Sequence, residues 1–448
     1  MLQIGSAAVD ITPPVGTHLA GQFNDRVAVT IHDPLNARAL VLDDGTTRVA
    51  LVACDLISHR RPTILKAREL AEAATGIPAR NILIAASHTH TGPPIARGLS
   101  WDLDQDYARM LPRHLASAVA LADQARQPGQ VAVGSGWEPS ASHNRRFLKK
   151  DGTAQMHPPK GDPAFVGPEG PDDPEVGVLV ARGEHGQLLG AIVNYTSHPI
   201  VVGHELAVSA DYPGYLVRAV EAVEGGPGKV LFINGAFGNI CPIDVYDLKH
   251  REYGWAWAER VGKTIAAEAI RVIETTDPLE SPRIRVASTE VELGIRSADD
   301  AQIEAARALR ARGEIVWRGD MTPEERAAHR EWVYANEIIL LAEERAQSPT
   351  VRAEVQAIAI GDAAFVSAPG ELFVEFGHEI KRRSPFLHTY IAGMANDCAG
   401  YIPTEHAMRN GGYETRLARS SKLVPEAGSI VVEAALRMLA QVAQSSAG

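Results

Sequence analysis

Short apolar runs that break off abruptly into polar, turn-forming segments constrain this chain more than any other feature. RVALVAC at 48–54 ends at Asp55, and NILIAA at 81–86 runs straight into SHTH at 87–90. LGAIVNY at 189–195 delivers TSHP at 196–199, and KVLFIN at 229–234 leads into GAFGNICP at 235–242. Runs of this length with no polar interruption read as strands buried on both faces. Between them lie stretches with helical spacing, at 61–75 before Gly76 and at 104–126. The alternation predicts an α/β fold, a mixed β-sheet core flanked by helices in a layered sandwich. Further strands are expected at 130–134, 176–181, 351–360 and 363–367. A helix after Ser209 is expected to run to about Val223, capped by Ser209 or Asp211, and another spans 428–444. The segment 139–175, rich in Gly, Pro, Asp and Lys, reads as a long surface loop. The Ala/Glu/Arg-rich stretch 298–346 reads as two solvent-facing helices, a charged insertion or flap. Residues 1–448 are read as a single catalytic domain.

Composition narrows the function. With 448 residues, 45% of them hydrophobic, the chain has ample material for a large core. A net charge of −11 argues against a nucleic-acid partner. The one basic cluster, at 381–383, is expected to be a solvated helix end. No apolar stretch reaches the length of a membrane span, and no secretory signal opens the sequence, so a cytoplasmic protein without membrane insertion is expected. Cys54, Cys241 and Cys398 are too few and too scattered for a disulfide framework. Oligomeric state stays open, a homo-oligomer included.

Three polar segments carry chemistry. In extended chain His88 and His90 would point to one side, which suits a metal or a proton-transfer pair as well as it suits two hydrogen-bonded loop histidines. His198 sits at the end of a second strand. Glu371, in APGE at 368–371, would either ligate a metal or favour the start of a helix. Spacing alone does not assemble these residues into one site.

The chain resembles the catalytic domain of the neutral, non-lysosomal ceramidases. The resemblance rests on AVDITPP at 8–14, SHTHTGP at 87–93, the strand ending in His198-Pro199, SAD at 209–211 with Gly214-Tyr215, and 234–242. It continues through APGE at 368–371, GYIPT at 400–404 and GYE at 412–414, in the family's order.

The resemblance implies one zinc ion per chain, held by His88, His198, Glu371 and Tyr401. It implies hydrolysis of an amide by metal-activated water, with His90 moving the proton and Arg145 and Tyr413 stabilising the oxyanion, Arg146 being an alternative to Arg145. An ester or lactone on the same site, a cysteine hydrolase built on Cys241, and a non-catalytic binding protein are the competing readings. Where ceramidases carry a sequence like Gly-Asp-Val-Ser-Pro, this chain has GNICP at 238–242, which places Asn239 and Cys241 near the substrate. No room for an immunoglobulin-like domain follows Tyr413. These departures point from ceramide to a small soluble amide.

Overall fold

The computed structural model describes residues 1–444 apart from 97, 100 and 102. At its centre an eight-stranded sheet runs in the order Val230–Asn234, Leu188–Tyr195, Glu175–Gly183, Gln127–Trp137, Leu2–Asp10, Asn36–Asp43, Arg48–Cys54, Ile82–Ala86. Its inner pairings are antiparallel, but the pair at each end is parallel. Each parallel pair is joined by a helical crossover, Arg61–Thr75 at one end and Asp211–Glu224 at the other. The sheet curls until its two edge strands, Val230–Asn234 and Ile82–Ala86, touch.

A second sheet has four strands, Ile284–Gly294, Thr350–Ile360, Ala363–Ser367 and His388–Ala392. Leu51, Leu83, Ile192 and Ile233 of the first sheet meet Ile358, Phe365 and Tyr390 of the second in one dry core. Helices Arg61–Thr75 and Gln105–Gln124 cover one half of the outer face of the large sheet, and Asp211–Glu224 and Trp255–Thr275 cover the other. Val374–Arg383 and Ala427–Gln444 cover the small sheet. The expected mixed sheet flanked by helices is what forms. A buried polar tie joins the sheets: Asn194 Nδ2 donates to the carbonyls of Ile233 and Ile391, each at 2.8 Å.

Several local expectations need correction. The segment 139–175 is not a plain loop, because Arg146–Lys149, Ala154–Met156 and Phe165–Pro168 pair into a three-stranded sheet. Ala210, not Ser209 or Asp211, holds the cap position of the helix Asp211–Glu224, though Ser209 Oγ accepts the Asp211 N–H at 3.0 Å; the Asp211 carboxylate binds the Val202 and Tyr212 N–H groups. Lys381 is no solvated helix end, since its ammonium lies between Asp173 and Glu175 at 2.7 and 2.8 Å. The insertion does form two helices, Asp300–Arg310 and Pro323–Gln347, each opened by a capping box. The second is only partly solvent-facing: Tyr334 packs on Phe23, and buried Glu337 binds Arg419.

His59, wholly buried beyond the strand Arg48–Cys54, makes stability depend on pH. Burial pushes its imidazole down to about 4. The unfolded chain therefore binds the proton first, and the folded state loses stability as pH falls from about 6.5 toward about 4. His59→Leu should flatten this slope in urea titrations across that window, and an unchanged slope would remove His59 as a contributor.

Candidate metal centre

Three imidazoles meet beyond the strand ends. His88 follows the edge strand Ile82–Ala86, and His198 follows Leu188–Tyr195, the strand next to the opposite edge of the large sheet. Curling brings them together, with ring centroids 4.9 Å apart. His90 lies 4.9 Å from His88 by the same measure. The extended-chain picture for this pair does not hold: His88 sits in the left-handed region at φ +74°, so a turn rather than a pleat aims the two rings inward. A non-glycine residue held there marks a backbone shaped by its surroundings.

Asn234 fixes the two histidine-bearing loops to one another. Its amide donates to the carbonyls of Ser87 and Ser197, the residues just before His88 and His198, at 3.1 and 2.9 Å. Its side-chain oxygen accepts from the N–H groups of Ser197 and Gly235. His90 is held from another direction by Gly21, at φ +100°, where any Cβ would come within 2.5 Å of the ring.

The ring protons are committed outward. His88 Nδ1 faces the Ile57 carbonyl at 2.6 Å, His90 Nδ1 that of Gly21 at 2.9 Å, and His198 Nδ1 that of Phe237 at 2.8 Å. A carbonyl only accepts, so each Nδ1 carries the hydrogen and each Nε2 presents a lone pair. The nearest ligating atoms of the three rings lie within 4.8 Å of one another. Burial holds His88 down at about 4 and His90 and His198 well below their usual range, so the imidazoles are neutral.

Glu371 and Tyr401 close the group. Glu371 is not at a helix start, since Glu371–Leu372 is a short strand paired in parallel with Tyr401–Ile402, Glu371 opposite Tyr401. Gly400, at φ +95°, lets the chain turn there, and a Cβ on it would stand 2.4 Å from the Ser420 carbonyl. Glu371 Oε2 lies 3.1 Å from His198 Nε2 and 3.5 Å from His88 Nε2. The Tyr401 hydroxyl lowers the Glu371 carboxyl against the effect of burial. Burial raises Glu371 above the usual carboxylate range and Tyr401 well above that of a phenol. Lone pairs of His198 and Glu371 at contact distance, in a buried site, are the donor set a cation resolves. His90 Nε2, buried and without a hydrogen-bond partner, aims at the same cluster.

Other expected site residues fall at different depths. Arg145 is buried behind the cluster rather than on the cavity wall; its Nη2 donates to the Tyr401 hydroxyl at 3.0 Å and its Nε to Glu414 at 2.8 Å. Arg146 faces away, paired with Glu169 and Glu414. Tyr413 does line the cavity, edge-on to Tyr401 at 5.8 Å, and its hydroxyl binds no described residue. Asn239 and Cys241 do not line it. The Asn239 amide is taken up by the Val374 N–H and by Glu375. The Cys241 thiol is pushed up to about 12 by burial, and the His157 ring 4.0 Å away is pushed down to about 3 by the same cause. Both stay neutral, so no activated thiolate forms. Sequence reasoning gave no role to Asn234 or Glu414; a polar residue at a strand end, and a carboxylate within reach of two adjacent arginines, were the available signals.

A cavity of about 330 Å³ opens onto His88, His90, Glu371, Tyr401 and Tyr413, with Glu337 and Glu344 of the insertion in its wall. Among the described residues, no helix is long and apolar enough to cross a membrane.

Asn234→Ala would leave the Ser87 carbonyl and the Ser197 N–H unpaired, the Ser197 carbonyl keeping only the Tyr212 hydroxyl. It should cost about 3 kcal/mol in urea unfolding and weaken metal binding by about 10-fold or more. Unchanged metal affinity in a direct titration would mean the loops are aligned without it.

No protein-family model matches the sequence, and no curated protein does. Solved structures do. The neutral ceramidase of Pseudomonas aeruginosa superposes with a TM-score of 0.75 at 20% identity, over 99% of this chain and 75% of that one. A ceramidase complexed with C2 gives 0.74, again at 20% identity and with the same coverage. A likeness at that identity concerns the architecture, and in architecture this chain has the fold of the neutral ceramidases.

Proposed function

We propose that this chain is a zinc-dependent hydrolase that cleaves an N-acyl bond in a small, soluble amide. The observation that carries the reading is the convergence of neutral imidazole lone pairs, one carboxylate and one phenol at the floor of a cavity. His88, His198, Glu371 and Tyr401 would hold the ion. Nitrogen and oxygen donors of this kind suit zinc, which supplies Lewis acidity and renders water reactive near neutral pH. The shared fold with proteins named as ceramidases supports the amide as the bond cleaved.

The side chains divide the remaining work. His90, with its free Nε2 toward the cavity, accepts a proton from the attacking water and delivers it to the leaving nitrogen. The water oxygen bonds to the acyl carbon, the carbon–nitrogen bond breaks, and acid and amine leave. The Tyr413 hydroxyl, uncommitted and at the cavity wall, donates to the carbonyl oxygen as that atom gains charge. Arg145 acts through Tyr401, whose oxygen it holds with a charged donor. Charged residues of the insertion in the cavity wall favour a water-soluble substrate over a lipid.

Substitutions separate these roles. His88→Ala or His198→Ala should abolish both bound zinc and turnover. His90→Ala should keep zinc and lose about 100-fold or more in kcat, read by elemental analysis beside rates on a panel of N-acyl and O-acyl probes. Loss of the metal from His90→Ala would make His90 a ligand instead. Cys241→Ala should leave turnover largely intact; inactivity of that variant would reinstate a thiol mechanism.

A further inference from the structure

The cavity is lined by two unlike groups of side chains. Ile57, Ile95, Leu99, Trp101 and Met394 are apolar. Charge enters the lining where insertion residues Glu337 and Glu344 meet Arg419 and Lys422. Glu337 accepts from the Arg419 backbone N–H, Nε and Nη2, and Glu344 pairs with Lys422. Those four charges cancel in pairs.

Arg60 is left over. It lines the cavity and is exposed, and its guanidinium makes no salt bridge with a described residue. The nearby Asp397 carboxylate feels its charge, but accepts the Cys398 N–H. Arg60 also shares one cavity with His88, Glu371 and Tyr401. A positive charge in the same cavity as the metal-binding cluster, beside apolar lining, calls for a ligand with an apolar part and an anionic group.

Building on the hydrolase reading, we propose that the substrate is an N-acylated amino acid. The apolar acyl group lies against the apolar lining, and the carboxylate of the amine half pairs with Arg60. Such a molecule is small enough for a cavity of about 330 Å³, whose lining offers both the metal-binding cluster and the guanidinium. Arg60 is then the residue that selects for the negative charge.

Three probes of similar size test this: N-benzoylglycine, N-benzoylglycinamide, and N-benzylsuccinamic acid, which carries its carboxylate on the acyl side. Binding by calorimetry to the zinc-loaded protein and turnover are both measured. N-Benzoylglycine should bind about 10-fold more tightly than its amide, and the preference should shrink as salt is raised. Arg60→Gln should reduce that ratio to about one; Arg60 is exposed, so the variant keeps its fold. Equal affinity for N-benzoylglycine and its amide, a ratio untouched by Arg60→Gln, or preference for N-benzylsuccinamic acid would overturn the proposal. Selective binding of N-benzoylglycine without cleavage of any acyl probe would uphold the anionic ligand and count against the hydrolase reading instead.

Discussion

His88, His90 and His198 each spend their Nδ1 hydrogen on a main-chain carbonyl. What remains is three Nε2 lone pairs directed into one buried space beside the Glu371 carboxylate. Nothing in that space repays the cost of removing them from water unless a cation or a proton enters. Burial depresses all three rings and raises Glu371, so a proton entering there would sit on the carboxylate and a cation would take its place. The carbonyl partners thus do more than orient rings: they select the tautomer that leaves each Nε2 able to bind a cation.

The large sheet explains why residues so distant in sequence share this space. Two parallel pairs, one at each edge, end in the loops that carry His88 and His198. In a flat sheet of eight strands those loops would lie tens of ångströms apart, at about 4.8 Å per strand. Curling brings the edges into contact, and Asn234 clasps them through the backbone just before each histidine. The small sheet fills the hollow that results and brings Glu371 and Tyr401 from its own strand ends. Core packing and site assembly are therefore one event. A loss of contact between the edge strands would separate ligands that each remain intact.

Much of this was legible in the sequence, for identifiable reasons. The strand Arg48–Cys54 and helix Arg61–Thr75 fall where the apolar run and the helical spacing place them, since each is bounded by an abrupt change in polarity. The three-stranded sheet between 146 and 168 was invisible, because its strands are short and lack an apolar alternation. Side-chain placement was less legible still. Arg145 and Asn239 lie in the expected neighbourhood, yet one stands behind Tyr401 and the other binds a helix start. Which way a polar side chain points depends on partners that are distant in sequence. Glu414, whose two oxygens hold Arg145 and Arg146, is such a partner.

That ion pair bears on the least usual member of the donor set. A buried phenol resists ionisation, and Tyr401 alone would be a poor ligand. Arg145 offsets this by placing a guanidinium on the phenol oxygen at 3.0 Å. Glu414 keeps that guanidinium in place, and the Gly238 carbonyl takes a further bond from it at 2.9 Å. An arginine in a dry interior is costly unless its donors are paired, and here a carboxylate, a carbonyl and a phenol share them. Were Tyr401 to help hold the proposed ion, the phenol would lie near two positive charges, and these would favour its ionised form. Burial that suppresses the phenolate in the isolated side chain then strengthens both attractions that stabilise it.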